Sequence, residues 1–326
     1  MTQQVWLPYN FFKAGEHFFV HLVDPSKINL SFGFLKDTIE AQKDPKAFKI
    51  LPFKKWLDTP AVTDEKLNPV GHIFHVSRCG STLLAQNLKA SARFIVLGEP
   101  SFIGKIYHPD NIFPLPYKEL ASQAAKKSIN DWNAWAHLQE KQLVVKHNSV
   151  CVKHLAQMQH DFSNSPFAFL IREPSAVLES LMRKPPTYIE NKLWPDTFLD
   201  IPSDCNHTFD EITYHAGKCY YTAMHEISEG LQNQLTLSFI CDYVNLAKQF
   251  AALAAFLSSG NVKIQNEHWN STWSSKKGEW ASKQYKKVSA AKVSEFATQN
   301  SHLLAPLQQQ YAQLNKKILQ YQQGVR

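Results

Sequence analysis

The stretch that decides the fold is GHIFHVSRCGSTLL, Gly71 to Leu84. An apolar run ends in a short polar turn carrying Arg78 and Gly80, and Ser81-Thr82-Leu83-Leu84 then opens a helix-like pattern. A strand delivered straight onto a helix N-terminus presents unpaired backbone N–H groups and the positive end of the helix dipole, a ready receptacle for an anion. The loop lacks the lysine of the magnesium-nucleotide form. GxxxxGK[ST] sets that lysine directly before the hydroxyl, whereas here Gly80 is followed at once by Ser81 and Thr82, and the positive charge lies earlier, at Arg78. No strand is expected to end in the acidic residue of a nucleotide-metal site, since the fourth candidate runs AFLIREP and closes on arginine. ATP hydrolysis with magnesium is therefore disfavoured, while the N–H groups from Cys79 to Thr82, the two hydroxyls and the Arg78 fork suit a phosphate or sulfate group.

Outward from this loop, short apolar runs alternate with longer helical segments, the rhythm of a parallel sheet with crossover helices. The strand candidates are 72–76, 94–97, 143–146, 167–171 and 235–240. The helix candidates are 82–90, 118–140 in one or two pieces, 150–160, 175–184, 209–231 and 245–257. The fold class is α/β, with helices on both faces of a five-stranded sheet. Residues 1–65 form a lead-in packed on a main domain at 66–326. Between Lys184 and Cys205, Pro185, Pro186, Pro195 and Pro202 interrupt the aromatics Tyr188, Trp194 and Phe198, which predicts a long loop or lid over 184–205. The last stretch, SHLLAPLQQQYAQLNKKILQYQQ, spaces Leu303, Leu307, Tyr311, Leu314 and Ile318 as one face of an amphipathic helix.

The 326 residues are 44% hydrophobic and 19% charged, ordinary for a folded chain, and a formal charge of +7 favours an anionic ligand without choosing one. The five cysteines lack the paired spacing of a zinc site or small disulfide framework. None of the 14 histidines forms a convincing ligand set. With no leader-like N-terminus and no run of about 18 apolar residues, the expectation is a cytoplasmic protein with neither a membrane nor a nucleic-acid partner.

A second constellation sharpens the first. FAFLIREPSAVLESLMRK sets Arg172 at the end of a strand, turns through Glu173-Pro174, and starts a helix carrying Ser180 and Arg183. An arginine at a strand tip with a serine two turns into the next helix can grip a second phosphate, at the sheet edge where α/β folds bind ligands.

Together the two motifs resemble the sulfotransferase superfamily. SRCGSTLL is similar to its loop for the 5′-phosphosulfate of 3′-phosphoadenosine 5′-phosphosulfate (PAPS), and IREPSAVLES to its 3′-phosphate motif. LTLSFICDYVNLAKQFAALAAFL resembles a later strand, turn and helix, with Asp242-Tyr243 at the turn, and SKKGEW, Ser275 to Trp280, faintly echoes the closing segment. The resemblance spans about Gly71 to Trp280. It implies a strand order 2-3-1-4-5 and PAPS as co-substrate, with no metal. It implies donor binding by Arg78, Cys79, Gly80, Ser81, Thr82, Arg172, Ser180, Lys276 and Lys277. The acceptor is a small molecule, saccharide or peptide with a hydroxyl or amine, and the oligomeric state is left open. A nucleotide-dependent kinase on the same fold and a non-catalytic nucleotide-binding relative are the rival readings.

Sulfuryl transfer needs an in-line acceptor, a base, and positive charge on the leaving side. Arg78 and Lys146, at the tip of the third strand in LVVKHN, supply the charge. Two family patterns compete for the base. One is a histidine after Lys-Thr on the third strand; here His147 follows Lys146 directly, and strand alternation turns it to the opposite face. The other is an acidic residue just after the second strand, where FIVLGEPSF offers Glu99. Glu99 is the preferred base, with Lys146 and Arg78 as the other catalytic residues. Cys79 is read as a small residue filling the turn rather than as a reactive thiolate.

Overall fold

The computed structural model describes residues 4–63, 65–107, 118–183, 209–233, 237–271 and 290–324. The expected lid at 184–205 lies wholly outside these residues, as do Lys276 and Lys277.

Five parallel strands form the central sheet: β4 (Gly71–His75), β5 (Phe94–Gly98), β6 (Gln142–Lys146), β7 (Phe167–Ile171) and β8 (Ser238–Asp242), in the order β5-β6-β4-β7-β8. Counted along the sheet's own strands this is 2-3-1-4-5. Every residue of β4, β5, β6 and β7 is buried, as expected of a parallel sheet covered by helices on both faces. The crossovers carry α3 (Ser81–Ala90), α5 (Lys118–Leu138), α6 (Leu155–Asp161), α7 (Pro174–Arg183) and α8 (Phe209–Asn233). α4 (Ser101–Tyr107) leaves the end of β5, α9 (Phe250–Leu257) follows β8, and α10 (Ala290–Gln299) and α11 (Ser301–Gly324) close the chain.

The sequence reading places most of these elements within a few residues. The fifth strand is shifted: it begins at Ser238 rather than Leu235 and runs on to Asp242. It therefore ends on an acidic residue, against expectation. That carboxylate is engaged within the chain, accepting the Val244 N–H (3.2 Å) and the Tyr311 hydroxyl. The helix expected over 150–160 divides into a 3-10 turn at Ser149–His154 and α6, because the Asn148 side chain caps Val150 and starts a tighter turn. The helix expected from Asn245 begins only at Phe250.

The N-terminal segment contains a three-stranded antiparallel sheet, β1 (Leu7–Ala14), β2 (His17–Val23) and β3 (Phe48–Pro52), with α1 (Leu35–Ala41) and α2 (Phe53–Leu57). Gly15 takes φ +58° at the β1–β2 turn, where two aromatic runs fold back on each other. Phe11, Val20, Leu22 and Trp56 belong to the same buried core as the central sheet. The Trp132 indole of α5 donates to the Pro8 carbonyl at 2.8 Å. Lys105 of α4 donates to the Asn10 side chain at 2.7 Å.

Candidate active site

The loop from β4 to α3 is bent by consecutive left-handed residues. Ser77 and Arg78 take φ of 68° and 47°, and Gly80, at the α3 N-cap, takes 82°. Two non-glycine residues in that region cost on the order of 1–3 kcal/mol each and persist only where surrounding contacts hold them. Three such contacts are visible. The Ser77 N–H donates to His75 Nδ1 (3.0 Å), the Arg78 carbonyl accepts from Arg172 Nη1 (2.7 Å), and the Leu84 N–H closes the first turn of α3 onto Gly80 (2.9 Å). A Cβ on Gly80 would lie 2.8 Å from the Tyr243 ring, so glycine is required there both for its φ and for this packing.

Arg172 joins the two phosphate-type motifs. It follows β7, its guanidinium bonds the Arg78 carbonyl and stacks on the Tyr243 ring at 4.5 Å, and its own carbonyl accepts the Tyr220 hydroxyl at 2.7 Å. Next to it, the Glu173 carboxylate caps α7 through the N–H groups of Ser175 (3.0 Å) and Ala176 (2.9 Å). Ser180 is buried on that helix, and Arg183, one turn further on, faces Glu179 at 3.7 Å. Cys79 is fully buried, and burial pushes its thiol up to about 11, which suits a turn-filling residue and not a nucleophile. Ser81 is buried and Thr82 partly exposed at the start of α3.

On the other side of β4, the tips of β5 and β6 meet. Glu99 follows β5 with φ 47°, and its N–H bonds the Lys146 carbonyl at 2.7 Å. Lys146 Nζ donates to Glu99 Oε1, and Asn148 Nδ2 donates to Oε2 at 3.2 Å. The lysine side chain is 0% exposed and the glutamate 23%, so solvent meets the pair only on the carboxylate side. Glu99 Oε1 also lies 4.0 Å from His75 Nε2. Because His75 Nδ1 accepts the Ser77 N–H, its Nε2 carries the hydrogen and donates to the His147 carbonyl at 3.0 Å. Burial, with the Lys146 charge nearby, holds His75 well below the ordinary histidine range, so the ring is neutral.

Lys146 and His147 lie on opposite faces of the sheet, as strand alternation requires. Lys146 is level with Ile73, and the His147 ring stacks on Phe74 (4.4 Å) and His72 (5.2 Å). His147 Nε2 is 2.9 Å from His72 Nδ1 and both rings are buried. Sequence reasoning missed Asn148 and His75 as partners at the site and Tyr243 as the platform for Arg172. It also missed Phe34, whose ring lies 5.1 Å from Lys146 Nζ. Asn148 was open to notice, one residue past His147; Phe34 lies more than a hundred residues from Lys146 and carries no local signal.

No family model matches the chain, and no curated protein matches it at a significant level. Among solved structures it is similar to the sulfotransferase domain from the Curacin biosynthetic pathway, with 15% identity, a TM-score of 0.38, and coverage of 72% of this chain and 99% of that one. It is also similar to the sulfotransferase domain from the Synechococcus PCC 7002 olefin synthase (16%, TM-score 0.36, 73% and 97%). A third similar structure is a sulfotransferase from Alicyclobacillus acidocaldarius (12%, TM-score 0.37, 74% and 96%). At such TM-scores the likeness carries no weight of its own, and the side chains carry the functional argument.

Proposed function

We propose that the chain is a sulfotransferase that moves a sulfuryl group from PAPS to a hydroxyl or amine acceptor. The observation that supports this most directly is the bond from Arg172 to the Arg78 carbonyl, which ties two anion-type motifs into one cationic edge. Lys146 and Glu99 lie at neighbouring strand tips of the same sheet. The donor set fits a polyanion: two guanidinium groups, a buried ammonium, two hydroxyls and the backbone N–H groups at the start of α3.

Within this reading Arg78, Cys79, Gly80, Ser81 and Thr82 surround the 5′ end of the donor, and Arg172 and Ser180 the 3′-phosphate. Bound there, PAPS supplies the sulfuryl group and departs as 3′,5′-adenosine bisphosphate. Glu99 takes the acceptor's proton: each carboxylate oxygen accepts one side-chain bond from the protein and keeps a lone pair for a further donor. Arg78 and Lys146 stabilise negative charge on the leaving side. Lys276 and Lys277, beyond the described residues, are proposed to complete the donor site, and the 184–205 segment to cover the acceptor.

The test is thermal stabilisation in EDTA, where 3′,5′-adenosine bisphosphate is expected to raise Tm more than ATP does. It is followed by transfer from labelled PAPS to a panel of phenols, alcohols, sugars and tyrosyl peptides. Stabilisation by magnesium-ATP with none by the bisphosphate would instead favour a kinase. Bisphosphate binding with no transfer to any acceptor and no donor hydrolysis would favour a non-catalytic relative.

A further inference from the structure

The N-terminal segment reaches the Lys146–Glu99 pair, meeting Lys146 through the Phe34 ring and packing on Gly98, the residue before Glu99. Beyond β2 the chain runs through Asn29 to Phe34 and into α1. Along this run Lys89 of α3 donates to the carbonyls of Leu30 (2.7 Å) and Phe32. The Gln86 amide, turned so that both of its groups are satisfied, bonds the Ser31 carbonyl (3.3 Å) and the Gly33 N–H (3.1 Å). These contacts pin the segment along α3. Gly33 is thereby pressed on Gly98, so closely that a Cβ at Gly98 would overlap the Gly33 carbonyl oxygen. Gly98 is the residue directly before Glu99, whose left-handed backbone aims the carboxylate. One residue further along the segment, the Phe34 ring lies 5.1 Å from Lys146 Nζ.

From this juxtaposition we propose that Phe34 is a positioning residue for the Lys146–Glu99 pair, and that the Asn29–Phe34 segment completes the catalytic site. The proposal rests on the sulfotransferase reading for its catalytic meaning, but not for its geometry. A partly exposed aromatic face beside a wholly buried ammonium does two things. It excludes water from Lys146, and it offers the ring's negative face to the charge, which restrains the ammonium more firmly than an aliphatic side chain of similar bulk. With Gly33 holding the backbone before Glu99, acid and amine are fixed from the same segment. The N-terminal unit is then part of the active site rather than a covering attached to it.

Two readouts on Phe34→Leu, Phe34→Met and Phe34→Trp decide the matter. The first is the rate at which an acylating reagent labels Lys146, scored by peptide mass spectrometry against exposed Lys36 in the same sample. Phe34→Leu is expected to raise the Lys146 rate roughly tenfold, the scale of one desolvated cation–ring contact, and Phe34→Trp to leave it near wild type. Phe34→Met replaces Phe34→Leu if the latter does not fold. The second is PAPS turnover, in which Phe34→Leu is expected to lower kcat and leave the donor KM unchanged. Labelling of Lys146 at the wild-type rate in folded Phe34→Leu or Phe34→Met overturns the proposal, whatever the enzyme's activity. Failure of the wild-type protein to bind 3′,5′-adenosine bisphosphate or turn over PAPS sinks the sulfotransferase reading alone, since the labelling comparison still decides whether Phe34 shields Lys146.

Discussion

Lys146 and Glu99 are bound to each other twice, once through the ammonium and carboxylate and once through the Glu99 N–H and Lys146 carbonyl at 2.7 Å. The backbone link is the continuation of the β5–β6 ladder, which pairs Gly98 with Lys146. The side-chain link therefore hangs from a rigid frame. Neither charge can be removed without consequence for the other, because Lys146 has no exposed surface through which water could compensate it.

That coupling shapes the first prediction. Glu99→Gln keeps an acceptor oxygen for Lys146 but loses the carboxylate proposed as the base, so kcat for the proposed sulfuryl transfer is expected to fall by at least about a hundredfold, within the range for a lost general base. Bisphosphate affinity should stay close to wild type. Lys146→Ala should lower kcat by about 10²–10³-fold, as for one preorganised electrostatic donor. His147→Ala, on the other face, should be much milder in kcat. Glu99→Ala strands the buried ammonium and is expected to cost about 3–5 kcal/mol of stability, measured by denaturant unfolding. Single-turnover transfer with donor affinity measured separately checks the set; an inactive His147→Ala beside an active Glu99→Gln would reverse the roles.

The central sheet was readable because its strands are continuous apolar runs between helices, and Phe167–Ile171 falls where the pattern puts it. The β8 boundary moved because Ser238 to Asp242 mixes buried and half-buried positions, which blurs the end of an apolar run. The placement of the candidate site's residues was legible wherever a single segment carries them: Arg78 through Thr82 between β4 and α3, Glu99 after β5, Lys146 at the tip of β6. It was not legible where a side chain arrives from far away. Phe34 meets Lys146, and Tyr311 of α11 meets Asp242, only through tertiary packing. The N-terminal sheet was missed for another reason. Its signal, aromatic runs on both sides of Ala14-Gly15-Glu16, is that of a hairpin in a region read only as a lead-in.

The second prediction concerns Arg172, which has a structural task before any ligand arrives. Arg172→Ala removes the bond to the Arg78 carbonyl and the stack on Tyr243. One lost charge-assisted contact corresponds to roughly 1.5–3 kcal/mol, or about ten- to a hundredfold. The donor KM is therefore expected to rise by that factor, with kcat changed less. Arg172→Lys should recover only part of the loss, because an ammonium lacks the planar fork and the flat face that rests on Tyr243. Donor affinity unchanged in Arg172→Ala would remove Arg172 from the donor site.

The third prediction is a pH dependence of stability set by the histidines of the sheet interior. Burial lowers His72 to about 3 and holds His147 and His75 well below the ordinary histidine range. His72 packs against His147, Phe162 and Phe167, while His147 also feels Lys146 and His75. No acidic group offsets a charge on either ring among the neighbours that shift them. Below about pH 6.5 the unfolded chain takes up protons that these folded rings refuse. The unfolded state then binds more protons, so stability is intact above about 6.5 and falls as pH drops toward 3. The slope is on the order of 1.4 kcal/mol per pH unit for each such ring. Equilibrium unfolding of wild type and His72→Gln between pH 4 and pH 7.5 isolates the contribution of His72. The variant is expected to lose less stability across that range, keeping the part owed to His147 and His75. Parallel curves for the two proteins would show that His72 does not titrate between the folded and unfolded states in this way.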